Sequence, residues 1–201
     1  MKYDLDLALK RSYKNCHAKG LHSIVLNQSA SGELTRFYYT TSDHSLEQNL
    51  IPEVKTTIAI HSHRFDLKFT TLRGEMINVT YRFPMENELA ESAIFAAWKF
   101  QSQILTGQGS FLKQERLQKL LFQDAYTLSE KHSIVMKSTD LHTVGVYQGQ
   151  IAAWMVEETN FNPHHNDICY TNNDMENFSF DGLYQKYYSK EEIEMAIKEF
   201  F

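Results

Sequence analysis

Cysteine, proline and glycine are all scarce in this chain of 201 residues, which contains 2 Cys, 3 Pro and 8 Gly. The two cysteines, Cys16 and Cys169, are too few for the disulfide framework of a small secreted domain. No apolar run approaches the roughly 18 residues that a membrane-spanning helix requires. The N-terminus also lacks the apolar segment of a signal peptide. We therefore expect a cytoplasmic protein with no membrane partner.

Positive charge is sparse as well, because 20 Lys and Arg face 25 Asp and Glu, for a formal net charge of −5. No basic stripe is present that could neutralise phosphates, so nucleic acid is not an expected partner. Aromatic residues, in contrast, are abundant, with 13 Phe, 11 Tyr and 2 Trp. This composition favours a fold that is mainly β.

Alternation of apolar and polar residues predicts a β-hairpin in the segment 61–83, with its turn at Gly74. Successive side chains of a strand point to opposite faces of the sheet. One face of this strand therefore carries His61, His63, Phe65, Leu67 and Phe69. The hairpin would then present two imidazoles among large apolar side chains.

We expect a single domain over residues 1–201, in three parts. Residues 1–20 form an N-terminal helical extension, 21–157 a barrel, and 158–201 a loop followed by a C-terminal helix. Ser189-Lys-Glu-Glu192 predicts a capping box at the start of that last helix. The segment 84–121 has no clear periodicity, and we interpret it as an insertion or extra strands. The polar stretch 160–180 predicts a surface loop that includes His164 and His165.

The paired histidines His61 and His63, together with His142, predict a metal site. Neutral imidazole is the commonest metal ligand near neutral pH. A His-x-His pair by itself fits two polar rim residues equally well. Imidazoles on an apolar strand face need partners, however, and a second predicted hairpin places His142 in line with Val144 and Val146.

The pattern His61-x-His63-x-x-Asp66-x7-Gly74, followed by Leu141-His142-Thr-Val, resembles the two motifs of the cupin superfamily. The likeness is closest to uncharacterised phage and bacterial cupin-like proteins and covers residues 56–83 and 128–157. It implies a double-stranded β-helix, or jelly-roll barrel, with one divalent metal ion inside. With the helices predicted at the two ends of the chain, the expected fold is mainly β with an N-terminal and a C-terminal helix.

The chain departs from the cupin pattern at the carboxylate ligand. Many cupins carry a glutamate four or five positions after the second histidine, where this chain has Leu67 and Lys68. Glu75 has the parity of the inner face, although it lies at the hairpin turn. Asp66 has the parity of the outer face and would need a bulge to reach the ion. Glu75 and Asp66 are therefore secondary candidates for a fourth ligand.

Three histidines without a carboxylate also resemble the thiol dioxygenases, which are cupins that hold ferrous iron. Arg36 resembles their strand arginine, which pairs with a substrate carboxylate. The tyrosine and histidine that follow their third ligand have no counterpart here, which counts against thiol oxidation. We expect Arg36, Tyr81 and Trp154 to line a substrate pocket, and no catalytic residue is assigned.

The predicted function is that of a mononuclear non-haem metal oxygenase acting on a small polar molecule in the barrel, with Fe²⁺ favoured over Zn²⁺, Ni²⁺ and Mn²⁺. One alternative is a non-catalytic binding or accessory protein with a structural metal or none. Another is a sugar isomerase or epimerase, which requires a base near the substrate but off the metal. Two copies of the chain could also form a homodimer through their edge strands.

Overall fold

The computed structural model describes residues 2–16, 19–45, 48–51, 54–56, 59–101, 111–147, 149–165, 168–172, 185–187 and 189–201. The elements in these ranges are, in chain order, α1 (Leu5–Arg11), β1 (Tyr13–Lys14), β2 (Lys19–Gln28), β3 (Leu34–Ser45), β4 (Gln48–Ile51), β5 (Val54–Thr56), β6 (Ile60–His61), β7 (Phe65–Arg73), β8 (Met76–Arg82), a 3-10 turn (Glu86–Glu88), β9 (Ala93–Gln101), β10 (Phe111–Leu128), β11 (Ser133–Met136), β12 (Leu141–Tyr147), β13 (Ala153–Phe161), β14 (Ile168–Asn172), β15 (Gln185–Lys186) and α2 (Lys190–Phe200).

The strands form two antiparallel sheets. Sheet A has seven strands in the order β11-β7-β13-β3-β2-β1-β15. Sheet B has eight strands in the order β4-β5-β12-β6-β14-β9-β10-β8, and β12 also pairs with β8.

The strand order at the centre of the two sheets is that of a jelly roll. Eight strands carry it, namely β3, β5, β7, β8, β10, β11, β12 and β13. Numbered one to eight along the chain, they lie in the orders 1-8-3-6 in sheet A and 2-7-4-5 in sheet B. The first and last strands are therefore neighbours, and most connections cross from one sheet to the other, as in a double-sheet jelly roll. The predicted mainly β, jelly-roll fold with two terminal helices is confirmed.

A hydrophobic core fills the space between the two sheets. Sheet A contributes Phe69, Trp154 and Val156, and sheet B contributes Met76 and Val144. These residues occupy alternate positions of their strands, as the period of two requires. The turn between β7 and β8 falls at the predicted glycine, but the predicted β-hairpin is wrong, because the two strands lie in different sheets and do not pair. The second predicted hairpin is wrong for the same reason, since β12 lies in sheet B and β13 in sheet A. Gly74 has φ +69°, and a Cβ there would lie 2.4 Å from the Ile151 carbonyl oxygen, so only glycine fits.

Six strands of sheet B also close into a ring, because β8, β12, β6, β14, β9 and β10 pair in turn and β10 pairs back to β8. A second core fills this ring, and every one of the six strands contributes to it. Its buried members are Ile60, Ile77, Val79, Tyr81, Phe95, Ala97, Leu120, Leu141 and Tyr170. The segment 84–121, which showed no clear periodicity, supplies β9 and most of β10. The prediction of extra strands is confirmed there.

The two helices cover the outer face of sheet A. Ile193, Ala196 and Ile197 of α2 pack with Ala8 of α1 against Phe37 and its neighbours on β2, β3 and β13. The predicted capping box at Ser189 and Glu192 is present. No helix within the described ranges is long and apolar enough to cross a membrane.

Three predicted boundaries are wrong. α1 is shorter than the predicted 1–20, because the chain returns to sheet A at β1, where the Ser12 hydroxyl accepts from Val25 N at 2.9 Å. The predicted surface loop 160–180 contains β14, which completes the ring. The predicted continuous strand from His61 to Phe69 is broken, because β6 belongs to sheet B and β7 to sheet A.

The packing of α2 predicts an asymmetric response to mutation along that helix. Ile193 is 0% exposed and Met195 is 65% exposed. We expect Ile193→Ala to lower the free energy of unfolding by about 2–5 kcal/mol, because it removes buried methylenes and leaves a cavity. The matched variant Met195→Ala should change it by about 0.5 kcal/mol or less. Urea unfolding followed by circular dichroism measures both, and equal losses would contradict the position of α2.

Candidate metal centre

His61, His63 and His142 lie together at one end of the space between the sheets. Their ligand atoms all fall within 4.8 Å of one another. His61 ends β6, His142 lies on β12, and the two are directly paired across the strands. His63 lies in the segment that crosses to β7, and its amide donates to Ser138 O at 3.0 Å. The predicted grouping of three histidines is therefore present, although His63 reaches it from a loop.

Hydrogen bonds determine which ring nitrogen of two histidines carries a proton. Nδ1 of His61 lies 2.9 Å from Ala59 O, and a carbonyl oxygen can only accept. Nδ1 of His142 lies 2.6 Å from Oδ1 of Asn78, which also only accepts. With Asn78 in this orientation both Nδ1 atoms carry the proton, so each neutral ring keeps its lone pair on Nε2, as a metal ligand requires.

Burial keeps these two rings neutral. It lowers the pKa of His61 below its ordinary value. Burial, followed by the neighbouring His61, holds the pKa of His142 well below its ordinary value. A neutral imidazole binds a cation without first losing a proton. The Nε2 lone pairs of His61 and His142 are therefore available to a metal ion near pH 7.

The three donor atoms lie close enough together for one small cation to be held among them. Nε2 of His63 lies 2.7 Å from Nε2 of His142. Because Nε2 of His142 carries a lone pair, the two rings share a hydrogen bond in which Nε2–H of His63 is the donor. Bonds of about 2.1 Å at tetrahedral angles place ligand atoms about 3.4 Å apart. The 2.7 Å between these two nitrogens is shorter than that value, so the two rings would have to move apart slightly to bind one ion.

The two candidate carboxylates do not join the histidines. Asp66 accepts hydrogen bonds from Ser138 N at 2.8 Å, Lys137 Nζ at 3.1 Å and Asn160 Nδ2 at 3.1 Å. It therefore holds the turn that leads into β12, consistent with its predicted outer-face parity. Glu75 accepts from Ser129 Oγ at 3.3 Å at the far end of β8. It lies five residues before Thr80, the partner of His142, a distance of about 17 Å along a strand.

The three residues predicted to line a substrate pocket are dispersed. Arg36 pairs with Glu158, with Nε and Oε1 3.4 Å apart. A substrate carboxylate could therefore bind Arg36 only by displacing the carboxylate of Glu158. Trp154 is buried between the sheets and stacks on Tyr38 at 5.8 Å. Tyr81 lies in the core of the ring, on the face of β8 opposite to Thr80 and hence to the histidines.

Sequence reasoning missed two neighbours of the site. Asn78 is fully buried and bonds the third histidine, yet buried asparagines have no sequence signal of their own. His165 was assigned to a solvated loop. It is half-buried, with Nδ1 3.5 Å from the hydroxyl of Ser62 between the two ligands, and it contributes to lowering the pKa of His61. Only the return of the chain beside β6 brings it there.

Comparisons with known proteins leave the family open. No protein-family model matches the sequence, and no curated protein sequence matches it. Among solved structures, a sugar phosphate isomerase of the cupin superfamily from Silicibacter pomeroyi is 10% identical, with a TM-score of 0.39 over 90% of this chain and 98% of that one. A hydroquinone 1,2-dioxygenase from Sphingomonas is 9% identical, with a TM-score of 0.31 over 77% and 68%.

A polyketide cyclase from Streptomyces resistomycificus is 12% identical, with a TM-score of 0.40 over 77% of this chain and 78% of that one. Identities and TM-scores this low support no argument about activity. The jelly roll is established by the strand order, and the candidate metal centre by the distances between its histidines. Together they define a jelly-roll protein with a three-histidine cluster that could hold a metal ion.

The bonds of Asp66 predict a pH-dependent contribution to stability. The Ser138 amide, then Asn160 and Lys137, lower the pKa of Asp66 below its ordinary value. We expect Asp66→Ala to reduce the free energy of unfolding by about 1–3 kcal/mol at pH 7. The pKa of Asp66 is lower in the folded than in the unfolded protein, so its carboxylate stabilises the fold fully above about pH 4. As the pH falls below that value, the difference in unfolding free energy between the wild type and Asp66→Ala should shrink and disappear.

The matched control for Asp66→Ala is Glu157→Ala in the same sheet. Glu157 pairs with Lys68 at 2.9 Å, and both side chains are more than a third exposed. Removing this pair should cost about 0–1 kcal/mol. Denaturant titrations between pH 3 and pH 7 measure both variants. A loss for Asp66→Ala that equals the control, or that does not change with pH, would contradict the assignment.

Proposed function

We propose that this protein is a mononuclear metal protein of the cupin type, and that it acts as a non-haem Fe²⁺ oxygenase on a small polar molecule. The observation that supports this proposal is the convergence of three imidazoles without a carboxylate ligand among the described residues. Imidazole suits iron, zinc, nickel and copper, whereas an all-oxygen site would favour magnesium or calcium.

The three histidines have different positions relative to solvent, which determines the side on which the ion would be accessible. His61, His63 and His142 would hold one ion, with His142 anchored in the wall between the two cores. His61 and His63 are half-buried whereas His142 is 1% exposed, so the ion would be open to solvent on the side of the first two. When bound, a ferrous ion with open coordination positions supplies one-electron chemistry towards dioxygen.

The runner-up is a binding or accessory protein with a structural ion. Structural zinc sites are closed by four protein ligands, whereas catalytic sites retain an open position. Three histidines with no fourth protein ligand in the described ranges favour the open arrangement. An isomerase would need a base off the metal. His165, beside Ser62, is a candidate for that role.

The metal site predicts a specific loss on mutation. Protein purified without a polyhistidine tag and incubated with Fe²⁺ under anaerobic conditions should retain one ion per chain by elemental analysis. His63→Ala and His142→Ala should fall well below one ion per chain, because two imidazoles alone do not make a stable site. The control His132→Ala removes an exposed histidine outside the cluster and should bind like the wild type. A wild type that retains no Fe, Zn, Ni or Mn would sink the proposal.

An open coordination position can be tested without knowing the substrate. Nitric oxide added to the anaerobic Fe²⁺ form should produce a new paramagnetic resonance signal if the ion has a position that a small molecule can occupy. A bound ion that gives no such signal would favour the closed, structural alternative. Loss of the signal in His63→Ala but not in His132→Ala would assign it to this centre.

A further inference from the structure

Asn78 lies between a metal-binding candidate and a tyrosine, on three neighbouring strands of sheet B. Its Oδ1 is 2.6 Å from Nδ1 of His142, and its Nδ2 donates to the hydroxyl of Tyr126 at 2.6 Å. Asn78 is 0% exposed, so an unpaired amide atom there would cost about 1–3 kcal/mol. Both ends of the amide are paired.

The register of the strands produces this alignment. Asn78 of β8 lies directly opposite Tyr126 of β10 and diagonally from His142 of β12. Diagonal neighbours on one face of an antiparallel pair are within reach of long side chains. The three side chains therefore point to the same face, towards the core between the sheets.

A bulge in β10 is needed for the tyrosine to be in place. The pairing with β8 runs from Phe122 opposite Tyr81 to Asp124 opposite Thr80, so one residue of β10 is left out of register. Without that extra residue, Ala125 would face Asn78 and the hydroxyl would be absent. Bulges of this kind re-aim side chains next to functional sites.

We propose that Asn78 and Tyr126 are positioning residues that hold His142 in the tautomer whose Nε2 accepts a metal ion. The amide could in principle turn and offer Nδ2 to the ring, in which case Nδ1 would accept and Nε2 would carry the proton. In the observed orientation the Tyr126 hydroxyl accepts Nδ2–H, so loss of that hydroxyl would leave this N–H unpaired in the core. The inference rests on the proposed metal site for its consequence, but the tautomer itself exists without any ion.

The metal-free protein provides the first test. Long-range proton–nitrogen NMR spectra of imidazole-labelled protein report which nitrogen of each histidine carries the proton. Wild-type His142 should show a protonated Nδ1 and an unprotonated Nε2. Asn78→Leu, which has no acceptor for Nδ1–H, should shift His142 towards the other tautomer, whereas Asn78→Asp should preserve the wild-type pattern because a carboxylate oxygen still accepts.

Metal affinity provides the second test, measured by competition for Zn²⁺ with a chromogenic chelator. Asn78→Leu should weaken binding about 10–100-fold, the usual cost of removing an outer-shell partner of a ligating histidine. Asn78→Asp should bind at least as tightly as the wild type. Tyr126→Phe should weaken binding by a smaller factor, and Tyr147→Phe, which removes one hydroxyl elsewhere in sheet B, should not.

The outcomes separate this inference from the proposed function. A folded Asn78→Leu with the wild-type tautomer of His142 and the wild-type Zn²⁺ affinity overturns the inference. If that variant does not fold, Tyr126→Phe decides: binding equal to that of Tyr147→Phe overturns the inference, and weaker binding supports it. A wild type that binds no metal defeats the proposed function, while the tautomer spectra still test Asn78.

Discussion

The structure depends on β12 being buried on both of its faces. Val144 and Val146 of this strand face the core between the sheets, and Leu141 faces the core of the ring. β12 pairs with β8 on one side and with β5 and β6 on the other, so it belongs to both the jelly roll and the ring. Because His142 lies on this strand, its imidazole is removed from water and must be satisfied within the protein. Its hydrogen bonds to Asn78 and to His63 follow from that constraint.

The ring of strands in sheet B holds the short strand β6, and with it His61, in position. β6 contains two residues, and a strand that short has little stability of its own. It is held because β12 pairs with one edge and β14 with the other, through His142 and Cys169 opposite His61. β14 in turn pairs with β9. The extra strands therefore contribute to the position of a ligand that they do not contain.

The segment that carries His63 is held by a carboxylate rather than by a strand. Asp66 binds the amide of Ser138, and the carbonyl of Ser138 accepts from the amide of His63. The residue considered as a fourth ligand thus stabilises the loop that presents one of the three histidines. The aspartate of the first motif acts here through backbone geometry.

The local pattern of apolar and polar residues alone predicted several strands of this fold and the residues of its candidate metal centre. Alternation with a period of two identified β7, β8 and β12, the glycine turn between the first two, and the faces of Phe69 and Val144. It also selected the three histidines, since residue type and spacing are properties of the chain itself. The closed ring, the crossing between sheets after His61, the bulge in β10 and the contact of Asn78 with Tyr126 were decided only by tertiary structure. Each depends on the register between strands distant in sequence, and register is set by which side chains can be buried together.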